Sequence, residues 1–187
     1  MRVIAGSARG VKLATLPGSD VTRPTQDRVK EGMFSAVQFL LEGARVLDLF
    51  AGSGQLGIEA LSRGAARCVF IDENRAACAV VRQNLKAAGL YEKASVAECR
   101  AEQYLAACQE SFDLILLDPP YKNGTVAALL TDIARVVAPG GTVLAETEYG
   151  APLPGRCGVL ALKKQYKYGR TAFARYETDA PDVPGSM

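Results

Sequence analysis

The sequence predicts an α/β fold of the nucleotide-binding kind, a mostly parallel sheet with helices on both faces. Three observations lead there. The apolar run Val46-Leu47-Asp48-Leu49 enters a glycine turn and then a helix-forming stretch, which makes a strand, a tight loop and a helix. Apolar strands and helical segments then alternate as far as Thr147. One of those strands, Leu114-Ile115-Leu116-Leu117, is apolar without a break, as a strand covered on both faces must be.

The elements follow in order. Arg2-Val3-Ile4-Ala5 and Val11-Lys12-Leu13-Ala14 read as two short strands around a turn at residues 6–10. Pro17, Gly18 and Pro24 mark residues 15–26 as loop. Asp27 suits the cap of a helix to about Leu41, with Val29, Met33, Phe34, Val37, Leu40 and Leu41 at helical spacing. After the glycine turn, Arg67 to Ile71 is a strand ending at Asp72. Asn74 to Ala88 is a helix stopped by Gly89. Ala94 to Ala97 is a weak strand and Ala101 to Cys108 a short helix. Phe112 to Leu117 is the buried strand. Val126 to Val137 is a helix ended by Pro139-Gly140-Gly141, and Thr142 to Thr147 is a fifth strand. Val159 to Glu177 alternates around Tyr168-Gly169-Arg170 and reads as a closing hairpin. Pro181, Pro184 and Gly185 mark a frayed end.

A chain of 187 residues is long enough for one domain with a small extension. No stretch has the length of a membrane span, and Met1-Arg2-Val3 lacks the apolar run of a signal peptide, so a cytoplasmic location is expected. Cys68, Cys78, Cys99, Cys108 and Cys157 are odd in number and widely spaced, which reads as reduced thiols. The chain has no histidine. That removes a histidine base, the Ser-His and Cys-His nucleophile pairs and most transition-metal sites, and no metal is expected. A net charge of +2 is too small to argue for nucleic acid by itself.

The glycine turn Gly52-x-Gly54-x-x-Gly57 also matches the dinucleotide fingerprint. Asp48 discriminates. A carboxylate at the end of that strand repels a pyrophosphate but attracts the ammonium of S-adenosylmethionine. Phe50, Ala51, Gly52, Ser53 and Gly54 are then the loop under that cofactor, and Asp48 its acidic partner. Asp48 would also serve as a helix-side cap. Asp72, at the end of the next strand, suits the two ribose hydroxyls, with Glu73 beside it. A helix N-cap is the other use of Asp72.

Asp118-Pro119-Pro120-Tyr121 follows the buried strand, at the sheet edge where ligands bind. Two prolines end a strand in any protein. Here they also hold an acid and an aromatic ring at the ligand edge. Asp118 and the Pro119 carbonyl suit two N–H groups of an exocyclic amine, whose lone pair is otherwise delocalised into its ring. The prolines limit rearrangement of the loop, and Tyr121 offers a flat face to the base. The four residues are therefore the candidate catalytic group. Cytosine C5 transfer would need a cysteine after proline, and no Pro-Cys occurs.

With Asp48-x-x-x-Gly52-x-Gly54 and Asp118-Pro119-Pro120-Tyr121 in one chain, the sequence resembles the RsmD family of bacterial 16S rRNA (guanine-N2)-methyltransferases. Residues Leu49 to Ala65 resemble its long signature, through Gly57-x-Glu59-Ala60-Leu61-Ser62-Arg63-Gly64. Arg23-Pro24-Thr25-x-Asp27-Arg28-Val29-x-Glu31 is similar to its N-terminal signature. Arg9-Gly10-x-Lys12-Leu13 resembles its leading hairpin and Lys167-Tyr168-Gly169-Arg170-Thr171 its closing one. The resemblance implies a Rossmann-like seven-stranded methyltransferase fold, S-adenosylmethionine as donor with S-adenosylhomocysteine as product, and one guanine of 16S rRNA in an assembled or assembling 30S subunit as acceptor. A residue that usually offers Asp or Asn to the adenine amine stands here as Arg100, beside Ala101. Arginine cannot accept that bond, so backbone groups of Arg100 and Ala101 are the expected readers.

Residues 1–42 are thus expected to be a hairpin-and-helix extension that contacts RNA, 43–178 the methyltransferase domain and 179–187 a flexible tail. Arg9, Lys12, Arg23, Thr25 and Arg28 are the RNA candidates in front. Lys167, Tyr168 and Arg170 are those behind, where between residues 156 and 177 Arg156, Lys163, Lys164 and Arg175 add charge against the single acid Glu177. A solvated face and tyrosines packed on the sheet would give the same pattern. The competing functions are an adenine-N6 methyltransferase on DNA or RNA, a module that holds S-adenosylmethionine and RNA without turnover, and a nicotinamide oxidoreductase. A DNA enzyme usually carries a large target-recognition region, for which this chain has no room. The intact Asp118-Pro119-Pro120-Tyr121 argues against the module and Asp48 against the oxidoreductase. A monomer is expected.

Overall fold

The computed structural model describes residues 1–16, 24–120 and 124–178, with residues 24–27 as backbone only. Its centre is an eight-stranded sheet. The strands are β1 (Arg45–Leu49), β2 (Arg67–Asp72), β3 (Ala94–Glu98), β4 (Phe112–Leu117), β5 (Val137–Glu148), β6 (Arg156–Cys157), β7 (Leu160–Tyr168) and β8 (Thr171–Thr178). The helices are α1 (Pro24–Ala36), α2 (Gln55–Ser62), α3 (Arg75–Ala87), α4 (Ala101–Ala107) and α5 (Thr125–Val136). The strand order is β3-β2-β1-β4-β5-β8-β7-β6. The first five are parallel and the last three antiparallel. The predicted class is therefore correct, with one strand more than seven: β6 is a two-residue strand, Arg156 and Cys157, on the outer edge of β7.

Strand alternation splits the core into two layers. Leu114 and Leu116 of β4 join Val46, Phe70 and Leu144 under α1, α2 and α3. Ile115 and Leu117 join Leu47, Val69 and Val143 under α4 and α5. All four β4 residues have no exposed surface, so each contributes about 2 kcal/mol by burial. This is why the run is apolar at every position. Between β1 and β4 the order of strands reverses. A crevice opens at such a switch point, at the carboxyl ends of the strands.

The two expected strands at the front pair over a short stretch only, through Val3 N–H to the Val11 carbonyl and Leu13 N–H to the Met1 carbonyl, each at 3.0 Å. Only one bridge forms, Arg2 with Lys12. The backbone groups that a longer ladder would use go to α2 instead. Glu59 accepts the N–H of Ile4 at 2.8 Å and of Ala5 at 3.0 Å. Ser62 Oγ accepts the Ala8 N–H at 3.0 Å and donates to the Ala5 carbonyl at 2.6 Å. Glu59 is fully buried and pairs with Lys30 at 3.5 Å and Arg63 at 2.8 Å. Gly6, at φ 85°, lies so close to the Ser62 carbonyl that no side chain would fit. Val3, Leu13, Met33 and Phe34 share the layer of β1 and β4.

Helix α1 starts at Pro24, three residues before the expected cap, and ends at Ala36. Proline has no N–H to lose in a first turn. A 3-10 turn at Gln38–Leu40 follows. At the other end, β5 begins at Val137 and not at Thr142. Val137 pairs with Phe112, and the register then shifts so that Thr142 faces Leu114. Residues Pro139-Gly140-Gly141 absorb the shift; Gly141 lies against the Ala138 and Phe112 carbonyls, where a Cβ has no room. In the closing hairpin Gly169, at φ 66°, takes the left-handed conformation that a two-residue turn requires.

Candidate active site

The site begins where β1 ends. Asp48 opposes Leu116 of β4, so its side chain leaves the sheet on the α2 face. One carboxylate oxygen accepts the Gly57 N–H at 2.9 Å, in the first turn of α2. The other oxygen is buried and has no hydrogen-bond partner among the described residues. Burial pushes the Asp48 carboxyl up to about 7, against the opposing pull of the Gly57 N–H. Gly57 itself lies against the Phe70 ring and Cys68, close enough that only glycine allows α2 to approach the sheet.

The loop between β1 and α2 is held at every turn. Phe50 has φ 68°, the one non-glycine residue in the left-handed region among the described residues, at a cost of about 1–2 kcal/mol. Ala51 donates its N–H to Ile71 at 2.9 Å and accepts the Gly54 N–H at 2.6 Å. Asn84 of α3 donates to the Ser53 carbonyl at 2.8 Å and also holds both backbone groups of Ala14. Gly52 has open space where a Cβ would stand, so its backbone faces the crevice.

Asp72 uses both oxygens on backbone. One accepts the Gly52 N–H at 2.8 Å and the other the Asn74 N–H at 2.8 Å. The N-cap of α3 is Asn74, whose side chain accepts from Ala76 and Ala77. Asp72 thus fastens the glycine loop to the start of α3. Each oxygen keeps a further lone pair for a hydroxyl. Glu73 is exposed beside it. The Cys99 N–H bonds to the Asp72 carbonyl at 3.1 Å, which sets the exit of β3 alongside. There Arg100 is exposed, with its guanidinium 3.4 Å from Glu102 and its N–H bonded to Gln103 at 3.4 Å. Ala101 is buried as the first residue of α4, where its N–H has no helical partner.

Asp118 follows β4. Leu117 opposes Leu49 on one side and Ala145 on the other. The next step along the sheet therefore sets Asp118 between the glycine loop and Glu146 of β5. Asp118 is half-buried, and its carboxyl is raised well above the ordinary carboxylate range by burial first, then by the charges of Glu146 and Asp48. Pro119 is buried and Pro120 exposed. Tyr121 lies outside the described residues, as does Arg23.

Three acids, Asp48, Asp118 and Glu146, thus share one face of the sheet edge. Burial raises the proton affinity of Asp48 and Asp118, and a cation between them would favour their ionised forms. A cofactor with an ammonium and a sulfonium fits this arrangement: the orphan oxygen of Asp48 gains a partner and the repulsion is relieved. A pyrophosphate would deepen the repulsion. Among the described residues, no group of three His, Cys, Asp or Glu is arranged to hold a metal ion.

The RNA candidates sit elsewhere. Arg9 is exposed in the turn docked by Ser62, at the end of α2 remote from the glycine loop. Lys12 is exposed opposite Arg2, and Arg28 is exposed on α1; Thr25 lies in the first turn of that helix. Lys167 is exposed, with its ammonium 3.9 Å from the Tyr149 ring centre, and Arg170 is exposed in the hairpin turn. Tyr168 packs inward. Its ring stacks on Phe173 at 5.9 Å, and its hydroxyl meets α1 at Gly32, where no Cβ would fit. Sequence reasoning passed over Glu146, Glu59 and Asn84. Glu59 stood inside the long signature with no role attached. Glu146 and Asn84 carried no signal beyond a polar residue in an apolar stretch.

Comparison with known proteins adds to the geometry. A family model described as conserved hypothetical protein 95 matches residues 1–177. The YlbH protein of Bacillus subtilis (strain 168), named provisionally as an rRNA methyltransferase, is 42% identical over 182 residues, covering 95% of this chain and 98% of that protein. The ribosomal RNA small subunit methyltransferase D of Escherichia coli (strain K12) is 33% identical over 188 residues, covering 96% of this chain and 91% of that protein. A solved Escherichia coli structure, provisionally described as the methyltransferase yhhF, superposes with a TM-score of 0.86 at 31% identity and covers 96% of this chain and 98% of that one.

Proposed function

We propose, from the premise that this chain belongs to the RsmD family of rRNA methyltransferases, that it methylates the exocyclic N2 amine of one guanine in 16S rRNA. The observation that carries the reading is that Asp48, with its orphan oxygen, and Asp118, two residues past its partner Leu116, lie on one face at the β1–β4 switch point. The donor is S-adenosylmethionine, which when bound supplies an electrophilic methyl carbon and leaves as S-adenosylhomocysteine. Asp48 holds its ammonium. The loop from Phe50 to Gly54 forms the floor beneath it, Asp72 and Glu73 face the ribose, and backbone of Arg100 and Ala101 faces the adenine. The chemistry gives no role to a metal.

Asp118 and the Pro119 carbonyl each accept one N–H of the guanine amine. That turns the nitrogen lone pair out of the ring plane and raises its density at the point of bond formation. As the N–C bond forms the nitrogen becomes acidic, and its proton passes to Asp118 or to solvent. Orientation supplies much of the rate, because no covalent enzyme intermediate is needed. Burial and the charges of Glu146 and Asp48 raise the proton affinity of Asp118, and a cation beside it would favour the carboxylate that accepts from the amine. A base held in structured RNA must turn out of its stack to reach this edge. Tyr121 is proposed to stack on it. Arg9, Lys12, Arg23, Thr25, Arg28, Lys167 and Arg170 are proposed to meet the RNA, whereas Tyr168, packed on Phe173 and α1, supports the hairpin beneath them; the substrate is proposed to be a 30S subunit or its precursor in the cytoplasm, met by a monomer. No helix among the described residues is long and apolar enough to cross a membrane.

The test is methyl transfer from labelled donor to small subunits that lack base methylation, followed by nucleoside analysis. N2-methylguanosine is the expected product. N6-methyladenosine alone would reject the assignment in favour of the adenine enzyme.

A further inference from the structure

An amine-methylating site of this kind still has to tell guanine from adenine. Asp118 and the Pro119 carbonyl see only an NH2 group, which both bases possess. The difference lies one atom away. Guanine has a donor, N1–H, beside its amine; adenine has an acceptor, N1, beside its own. A guanine site therefore needs a second acceptor next to the first, and an unsatisfied N1–H would penalise binding.

We propose that Glu146 is that acceptor and is the residue that restricts this site to guanine, an inference that rests on the amine-methylation reading above. The position follows from the strand register. Leu117 and Ala145 are paired on parallel β4 and β5, so Asp118 and Glu146 come next, side by side and on one face. Pro119, Pro120 and Glu146 line one cleft, with Thr147 and Leu153. Beyond Glu146 the same face turns aromatic: Phe173 is its partner on β8, and Tyr166 stacks on Phe173 at 4.3 Å. The acid thus stands next to the amine-orienting group, as a base with two adjacent donors requires, and the fully buried Phe173 backs its strand from within the core. The charge of Glu146 is also felt at Asp118, consistent with their closeness. A carboxylate has no donor to offer adenine N1 and repels its lone pair.

The chemistry of the pair suggests its own test. Once the labelled nucleotide is mapped, small subunits are reconstituted with either guanine or 2-aminopurine at that position. 2-Aminopurine keeps the amine but presents an acceptor at N1. The wild-type protein should prefer guanine by about 10- to 100-fold in kcat/KM. Glu146→Gln, whose amide can donate to N1, should shrink that preference at least about tenfold. Glu146→Ala should slow guanine and leave 2-aminopurine slow. Donor affinity and the melting temperature, measured alongside, show whether each variant is folded and loaded. An unchanged preference in folded, donor-binding Glu146→Gln would overturn the proposal, and if that variant does not fold, an unchanged preference in Glu146→Ala would do the same. Absence of any N2-methylguanosine from the wild-type protein would instead overturn the reading beneath it.

Discussion

Asp48 reaches the Gly57 N–H with one oxygen at 2.9 Å and keeps the other oxygen buried and unpartnered. The first contact caps α2. The second is costly for the protein alone, since a buried acceptor with no donor forfeits about 1–3 kcal/mol. Such an atom makes sense in a site that completes itself on binding a cation.

Replacing Asp48 with Asn should therefore stabilise the fold and weaken the donor. The sign is fixed by the direction of its shift. The folded carboxyl is raised to about 7 from an unfolded value near 3.9, so the folded state holds the extra proton between those values. Stability is full below pH ~4 and is lost as pH rises to about 7. The amide keeps the Gly57 contact and carries no charge. Thermal melts should show Asp48→Asn ahead of the parent by on the order of 2 kcal/mol at pH 8 and level with it at pH 4. Calorimetry should show S-adenosylmethionine binding weakened at least about tenfold. A variant that melts lower at pH 8, or binds donor normally, would remove Asp48 from this role.

Donor binding should release protons. Asp48 and Asp118 are both raised in the unliganded protein, and a cation placed among them favours their ionised forms. Affinity should increase from pH 6 to pH 8, by up to about tenfold per unit for each proton displaced. Titrations in two buffers of different ionisation enthalpy would count those protons. Identical heats and a flat pH profile would count against a cation at this edge.

The sheet was legible because its strands are apolar runs of the right length, and the tight loop after β1 because glycines and an acid stand at fixed spacing. Asp118 was legible because two prolines after a buried strand are unusual. Glu146 was not. It sits in Ala145-Glu146-Thr147-Glu148, where nothing separates an acid facing the site from one facing water until the β4–β5 register is known. That the front hairpin would pair so briefly was hidden for a related reason. Its alternation is real, but Glu59 and Ser62 compete for the backbone groups of Ile4, Ala5 and Ala8, and no local pattern announces a partner more than fifty residues away. The left-handed Phe50 was equally hidden, because that conformation is imposed by the loop around it.

Glu59 ties the front of the chain to α2 and neutralises Lys30, both buried. Glu59→Ala takes the carboxylate away from that ammonium, which keeps the Arg2 carbonyl at 3.1 Å, leaves two N–H groups without their acceptor, and should cost about 3–5 kcal/mol in denaturant unfolding. Amide exchange at Ile4 and Ala5 should rise toward the rate of an unprotected segment. A loss below about 1 kcal/mol would mean the front segment is held by its apolar contacts alone.

The most direct measurement compares Asp118→Ala with the parent in single-turnover methyl transfer to unmethylated small subunits, with donor affinity measured on the same samples. Asp118 touches the amine in the proposed chemistry and not the donor. Transfer should fall by about a thousandfold or more while the dissociation constant for S-adenosylmethionine, which feels Asp118 only through its charge, rises by no more than about tenfold. Undiminished transfer in Asp118→Ala, with N2-methylguanosine as its product, would contradict the central role given to this carboxylate.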